Sequence, residues 1–395
     1  MGRIAQAPSP PKKMIYVQDM EELKRVASDM AKAPRLAVDT EADSLHHYRE
    51  KLCLLQVSTP EEDFVIDPLV PLDLGDLLKR IETRPLIFHG ADFDLRILKR
   101  FYRFEPKEIF DTMIAAQFLG YERPSLAVLS EKHCGVKLPK ANQKADWSKR
   151  PLNESMLVYA GNDVHYLHPI AGQLESELRA RGRIHWVGET CRELLKIVEK
   201  KPDQDRERAW RVKGSHELED RELVILKELW QWREDEARGR DRPPFKVLNP
   251  EYLVSLARWA HRHPGRSTEG MPNLPRQIKH AMAQSVDKVI RRAARLPLDT
   301  ILSVAPRRGA KRLSRKEERE LDALKGARNV LAREYGCYPG VLVSNAILES
   351  LVRDRVQNLE ETRSAGHLMA WQMEVVGRRF LEVLQEMRKE SEAAG

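Results

Sequence analysis

Three short segments carry side chains that could act together on a phosphate. The first is Ala37-Val38-Asp39-Thr40-Glu41. Strand side chains alternate, so Asp39 and Glu41 share one face while Thr40 points away. Two carboxylates about 7 Å apart at the end of an apolar strand are costly to ionise without a counter-charge. A divalent cation supplies that charge, and oxygen ligands suit Mg²⁺ or Mn²⁺. Alone, the segment reads better as a polar strand end entering a turn, continued by Asp43.

The second segment is His89-Gly90-Ala91-Asp92-Phe93-Asp94-Leu95, where an apolar strand gives way to a helix. Asp92 is expected to be the N-cap, leaving Asp94 in the first turn. Asp94 is then either a metal-site carboxylate or an acid favoured there by the helix dipole. The third is Tyr159-Ala160-Gly161-Asn162-Asp163. Helical i, i+4 spacing stacks Tyr159 and Asp163 on one face, and a phenol one turn from a carboxylate can orient a water. A core tyrosine beside a surface acid has the same spacing.

These segments need a scaffold. Ile15–Val17, Leu36–Val38, Cys53–Ser58 and Phe64–Ile66 are strand candidates, and Asp19 caps a helix reaching Ala31. Leu86–His89 then starts a strand–helix alternation, with a helix from about Asp92 to Tyr102, and helices dominate beyond Thr112. The reading is an α/β domain with a mixed sheet and flanking helices. Residues 1–13 are expected to be a flexible lead-in with no apolar signal core. The charged stretch after residue 200 is expected to be a linker, drawn at 201–213.

The remainder repeats at a spacing of 95 residues. Leu226, Leu229, Arg233, Ala237, Pro244, Leu253, Ser255 and Leu256 recur as Leu321, Leu324, Arg328, Ala332, Pro339, Leu348, Ser350 and Leu351. Leucine periodicity would not also align a proline and an arginine, so two copies of one helical fold are expected, at 214–296 and 297–395. Arg291–Lys316 holds nine basic residues and one acid, Asp299, and is either a patch facing RNA, the reading preferred here, or a solvated basic linker.

At 395 residues, two or three domains are expected. The 68 basic against 60 acidic side chains suit a polyanionic partner. Cys53, Cys134, Cys191 and Cys337 are scattered, which argues against a zinc site or disulfide framework and for a reducing, cytoplasmic setting. No apolar run approaches the ~18 residues that span a bilayer, so no membrane partner is expected.

Read in order, the segments give Asp-x-Glu on a strand, Asp after a later strand, and Tyr-x-x-x-Asp on a later helix. In this the sequence resembles the DEDDy exonucleases of the ribonuclease H-like fold, and more closely the ribonuclease D family. Leu52-Cys53-Leu54-Leu55-Gln56, Ile66-Asp67-Pro68-Leu69, Asp111-Thr112, Ala145-Asp146-Trp147, Arg150-Pro151-Leu152 and Val164-His165-Tyr166-Leu167 match around the acids. The likeness runs over residues 14–200, and the repeat is similar to tandem HRDC domains.

The resemblance implies a 3′→5′ exoribonuclease in which Asp39, Glu41, Asp94 and Asp163 hold two divalent ions about 3.5–4 Å apart. Asp39 would bridge them, Glu41 and Asp163 would complete the nucleophile-side ion, and Asp94 would hold the other. Tyr159 would position the attacking water. RNA with a free 3′ end, tRNA precursors included, would be the substrate, nucleoside 5′-monophosphates the product and a monomer the working form. His89 is read as a structural neighbour of the site, and His165 as packing or an outer partner.

Three other readings compete. A DNA exonuclease would use the same acids, because metals meet phosphate and not sugar. A helicase fragment is excluded, since the chain has no Gly-x-x-x-x-Gly-Lys-[Ser/Thr] loop. A non-catalytic RNA-binding scaffold would be marked by loss of an acid, and none is lost.

Overall fold

The computed structural model describes residues 12–139, 141–200, 208–275, 278, 281–298, 313–364 and 368–393. Expectations for residues 1–11, for the linker up to 207 and for 299–312 of the basic stretch lie outside the described residues. The chain divides into two compact units. One gathers the chain up to Ala42, Leu52–Lys200 and Leu313 onward, and the other Asp43–Lys51 and Lys201–Arg312.

The first unit is built on a six-stranded mixed sheet of β1 (Lys13–Val17), β2 (Leu36–Ala42), β3 (Leu52–Ser58), β4 (Glu62–Ile66), β5 (Leu86–Phe88) and β6 (Ile109–Asp111). Its order is β1-β4-β3-β2-β5-β6. β3 runs antiparallel to β2 and β4, and the other pairs are parallel. Every residue of β3 is buried, the polar Gln56 and Ser58 included, as in a strand covered on both faces. The strands appear where apolar and β-branched runs placed them, except β6, a three-residue strand that the sequence reading did not separate from the helix after it.

Eight helices follow from the same unit's first two segments: α1 (Met20–Lys32), α2 (Gly75–Glu82), α3 (Asp92–Tyr102), α4 (Thr112–Phe118), α5 (Leu126–Cys134), α6 (Glu154–His165), α7 (Leu167–Ala180) and α8 (Ile184–Lys200). Asp19 caps α1 as expected, accepting from the amides of Glu21 and Glu22. α6 lies across β2, β3 and β4. Gly161 permits that approach, since a Cβ there would sit 2.8 Å from Met14 Sδ.

The repeat exists at the level of structure. Its first copy, in the second unit, is α9 (Asp220–Gly239), α10 (Pro244–Val247) and α11 (Pro250–Arg262), with α12 (Ala281–Ala293) behind them. The second copy, in the first unit, is α13 (Arg315–Tyr335), α14 (Pro339–Leu342) and α15 (Asn345–Arg353). The recurring proline opens a one-turn helix in both copies, where its missing N–H costs nothing. The recurring arginine is buried in both and reaches a carbonyl fifteen residues on: Arg233 Nη1 to Leu248 O at 3.5 Å, Arg328 Nη1 to Val343 O at 3.0 Å.

The two copies are used differently. The second shares one hydrophobic core with the sheet and helices of the first unit. Trp371 stacks on Trp186 of α8 with centroids 4.9 Å apart, and meets Phe118 of α4 edge-on at 5.1 Å. Glu189 on α8 accepts the amides of Ala370 and Trp371, and Tyr338 N donates to Gln117 O. The first copy packs its own core, which includes Trp210 from within the stretch expected to be linker. That unit also takes in Asp43–Lys51, where Tyr48 Oη donates to Glu234 and the amide of Tyr48 donates to Asp241.

Candidate active site

β2 and β3 pair so that Asp39 faces Gln56 and Glu41 faces Leu54 across the strands. Cross-strand partners share a face, so both carboxylates lie on the side covered by α6. α6 starts at an Asn153 cap, whose side chain accepts the Met156 amide, and presents Tyr159 and Asp163 one turn apart. Carboxylate oxygens of Asp39, Glu41 and Asp163 lie within 4.8 Å of one another. Tyr159 is hydrogen-bonded to Asp163.

Asp94 arrives by another route. Thr40 points away from the shared face of Asp39 and Glu41, and its hydroxyl donates to Asp94 Oδ1 at 2.5 Å. Asp94 is not one of the three converging carboxylates, but it lines the same open cavity of about 440 Å³ with Asp39, Glu41, Tyr159 and Asp163. All five expected site residues therefore meet in one place.

The expected N-cap of α3 needs correction. Asp92 is the first helical residue, Ala91 occupies the cap position, and no side chain of the segment caps it. The acceptor comes from Asp111, whose carboxylate takes the amides of Gly90 at 3.0 Å and Ala91 at 2.8 Å, as well as capping α4. Gly90 is obligatory in that turn: its φ is +80°, and a Cβ would lie 2.8 Å from Met113 Cε. Asp94 still falls in the first turn, so only the reason for the turn changes.

His89 lines the same cavity. Its Nδ1 is 2.9 Å from Thr112 Oγ1, which donates to Phe88 O, so Nδ1 carries the hydrogen. Burial holds its pKa below the usual histidine value, and the nearby Asp111 opposes this only in part. His165 lies against Asp63, with Nδ1 2.5 Å from Oδ2. It is not among the cavity-lining residues.

The electrostatics follow from packing acids together. Burial first, then the charges of Asp94, Asp163 and Glu41, lift Asp39 well above the carboxylate range. Burial and then Asp163 and Asp94 do the same to Glu41. Burial pushes Asp94 to about 7 against the opposing Thr40 hydrogen bond. Asp163 also reaches about 7, through burial and then Asp94, against the Tyr159 hydrogen bond. The Tyr159 phenol is raised by burial and then by Asp163, Glu41 and Asp39. No lysine or arginine among the described residues is ion-paired with any of the four acids. The donor set is all oxygen, tightly grouped and short of positive charge, which fits a hard divalent cation.

The sequence reading did not assign the cavity's other wall. Phe93, Met113, Leu126, Ala127, Leu138 and Pro139 add an apolar lining to the acids. Their only sequence signal is position: Phe93 and Met113 flank Asp94 and Asp111, and Leu126 opens α5 behind its Ser125 cap.

Comparison with known proteins agrees with this geometry. Residues 14–179 match the 3′-5′ exonuclease family, and residues 222–265 and 317–384 match the HRDC domain. Ribonuclease D of Nitrobacter hamburgensis is 29% identical over 370 residues, covering 92% of this chain and 93% of that protein. Ribonuclease D of Sphingobium indicum is 35% identical over 263 residues, covering 65% of this chain and 66% of that protein. The crystal structure of Escherichia coli RNase D, described as an exoribonuclease involved in structured RNA processing, superposes with a TM-score of 0.69. That match has 26% identity and covers 95% of this chain and 99% of the other.

Fold and site thus define a 3′-5′ exonuclease of the divalent-metal-dependent class, extended by two HRDC repeats. The chain belongs to the ribonuclease D family.

Proposed function

We propose that this protein removes nucleotides one at a time from RNA 3′ ends by hydrolysis centred on Asp39, Glu41, Asp94, Tyr159 and Asp163. The observation that carries the reading is the convergence of Asp39, Glu41 and Asp163 within 4.8 Å, with Tyr159 hydrogen-bonded to Asp163 in the same cavity. Asp39, Glu41 and Asp163 would hold one divalent ion, Mg²⁺ or Mn²⁺. Asp94 and Asp39 would hold a second. Bound ions of this kind lower the pKa of a coordinated water and stabilise charge on a leaving oxygen.

The chain's own groups do the rest. Tyr159 keeps its proton at neutral pH, because burial and three neighbouring acids oppose its ionisation. With its one O–H given to Asp163, its oxygen accepts from the attacking water and so orients it, and it does not act as a base. The water oxygen bonds to the terminal phosphorus and the bond from phosphorus to the preceding 3′-oxygen breaks. That oxygen takes a proton, and a nucleoside 5′-monophosphate departs. The apolar wall of Phe93, Leu126 and Leu138 suits the flat face of a terminal base.

We assign the nuclease domain to residues 14–200, with HRDC domains at 214–296 and 297–395. The helical repeats and the basic stretch 291–316 are read as RNA-binding surface, and tRNA precursors are the substrates favoured by the family. One chain supplies all five residues, which supports a monomer as the working form. Among the described residues no helix is long and apolar enough to cross a membrane. We assign a cytoplasmic setting on the scattered spacing of the four cysteines.

A time course on 5′-labelled RNA and matched DNA oligonucleotides, with Mg²⁺, Mn²⁺ or EDTA, tests the reading. Single-nucleotide shortening of RNA that needs metal and vanishes in Asp39→Ala is the expected result. Cleavage surviving in Asp39→Ala would remove it, and faster digestion of DNA would reassign the substrate.

A further inference from the structure

The segment between α5 and α6 contains two residues that the chemistry above does not use, Trp147 and Arg150. An arginine side chain has five N–H groups, and those of Arg150 are all engaged. Nε and Nη2 each reach Asp67 at 2.6 Å, and Nη2 also reaches Cys53 O at 2.9 Å. Nη1 donates to Trp147 O at 2.7 Å and Lys149 O at 2.8 Å. The guanidinium thus fastens its own loop to β3 and to the residue that follows β4.

The anchor is firm. The Asp67 side chain is completely buried and accepts further bonds from Tyr16 Oη at 2.7 Å and the Leu69 amide at 3.0 Å. Burial would raise its pKa, but the bonds from Arg150, Tyr16 and the Leu69 amide outweigh it, so Asp67 lies below the usual carboxylate range. It is a carboxylate throughout the neutral range. A bidentate pair of this kind fixes direction as well as distance.

What the clamp holds is the Trp147 indole. It is 1% exposed, and its N–H has no partner among the described residues, so shape is what it contributes. Its ring lies 5.8 Å from that of Tyr159, tilted by 39°. Behind both sit Leu54, the cross-strand partner of Glu41, and Ala160 of α6. Tyr159 is therefore held between its hydrogen bond to Asp163 at one end and the indole along its ring.

We propose that Trp147 is a positioning residue for the Tyr159 phenol, and that Arg150, seated on Asp67, is the clamp that keeps Trp147 against it. The proposal rests on the reading of Tyr159 as the group that orients water. Displacement of such a group by about 1 Å can cost on the order of 10²-fold in rate. A wall residue that merely filled space would contribute to stability without reference to the hydroxyl.

A double-mutant cycle separates these cases. Single-turnover release of the terminal nucleotide from an RNA oligonucleotide is measured with saturating Mg²⁺ for the wild type, Trp147→Leu, Tyr159→Phe and the double variant. RNA affinity and thermal melting are recorded for each. Trp147→Leu should slow the step by roughly 10- to 100-fold with RNA affinity unchanged. In the Tyr159→Phe background the same substitution should change the rate by less than about 2-fold, because no hydroxyl remains to misplace.

Losses that multiply in the double variant, or a wild-type rate in Trp147→Leu, overturn the proposal. A wild-type rate in Tyr159→Phe alone defeats the role of Tyr159 first, and the proposal falls with it, so the two failures are told apart. Should Trp147→Leu not fold, Arg150→Lys, which keeps the charge beside Asp67 but cannot make five bonds, goes through the same cycle under the same criteria.

Discussion

The hydroxyl of Thr40 donates to Asp94 Oδ1 at 2.5 Å, linking the strand that carries two of the acids to the helix that carries a third. Thr40 faces away from Asp39 and Glu41, yet it is the residue between them. The bond orients Asp94 and lowers its pKa against the burial that raises it. Thr40→Val keeps the shape and removes the donor. The Mg²⁺ concentration for half-maximal activity should rise by roughly 10-fold or more, the usual range for losing an outer partner of a metal ligand. The shift should be larger at pH 6.5 than at pH 8, where Asp94 ionises even without help. An unchanged Mg²⁺ titration would count against the bond's role.

The crowded acids also make a prediction for the metal-free protein. An unfolded chain releases aspartate protons near pH 4, about 3.9, whereas folded Asp94 and Asp163 hold theirs to about 7. The folded state binds more protons between those limits, so this contribution to stability is complete below about pH 4 and is lost as pH rises through about 7. In EDTA the melting temperature should fall from pH 5 to pH 8, and Asp94→Asn should flatten the slope. Mg²⁺ should restore stability at pH 8 and do little at pH 5, since ligands must be deprotonated to bind it. Equal Mg²⁺ effects at both pH values would contradict this.

Trp371 tests whether the second repeat is part of the nuclease. It is 1% exposed and stacks on Trp186 while meeting Phe118 edge-on. Trp371→Ala should destabilise the first unit by about 3–5 kcal/mol. Hydrogen exchange should show the loss in α4 and α8 as well as in the repeat. A loss confined to residues 313–393 would mean that the shared core carries little energy.

The buried arginines give a test within the repeat. Arg328 Nη1 donates to Val343 O at 3.0 Å and Asn345 Oδ1 at 2.7 Å, tying α13 to the start of α15. Arg328→Ala leaves these acceptors without their donor and should cost about 1–3 kcal/mol. Urea unfolding would measure it. Metal-dependent cleavage should keep its rate wherever the protein remains folded.

Much of this was legible because the chemistry sits on regular elements. Alternation along β2 puts Asp39 and Glu41 on one face, and one helical turn puts Tyr159 over Asp163. The repeat was legible at its proline and arginine because each has a local task, opening a helix and reaching a carbonyl fifteen residues on. What could not be read depends on partners distant in sequence. The amides of Gly90 and Ala91 are taken by Asp111, whereas local spacing favoured Asp92. Thr40 looked idle until Asp94 was placed beside it. Nothing in the pattern of α13–α15 says that this copy shares its core with the sheet, because the contact is a pair of tryptophans from remote segments.

That shared core bears on how the chain is made. A ribosome delivers the strands and the five site residues long before Trp371 emerges, so Phe118 and Trp186 wait with their apolar faces uncovered. Domains ordinarily fold in order of synthesis. Here the nuclease core closes only when the last helices arrive, and a chain released early would expose an aromatic surface that chaperones and proteases recognise.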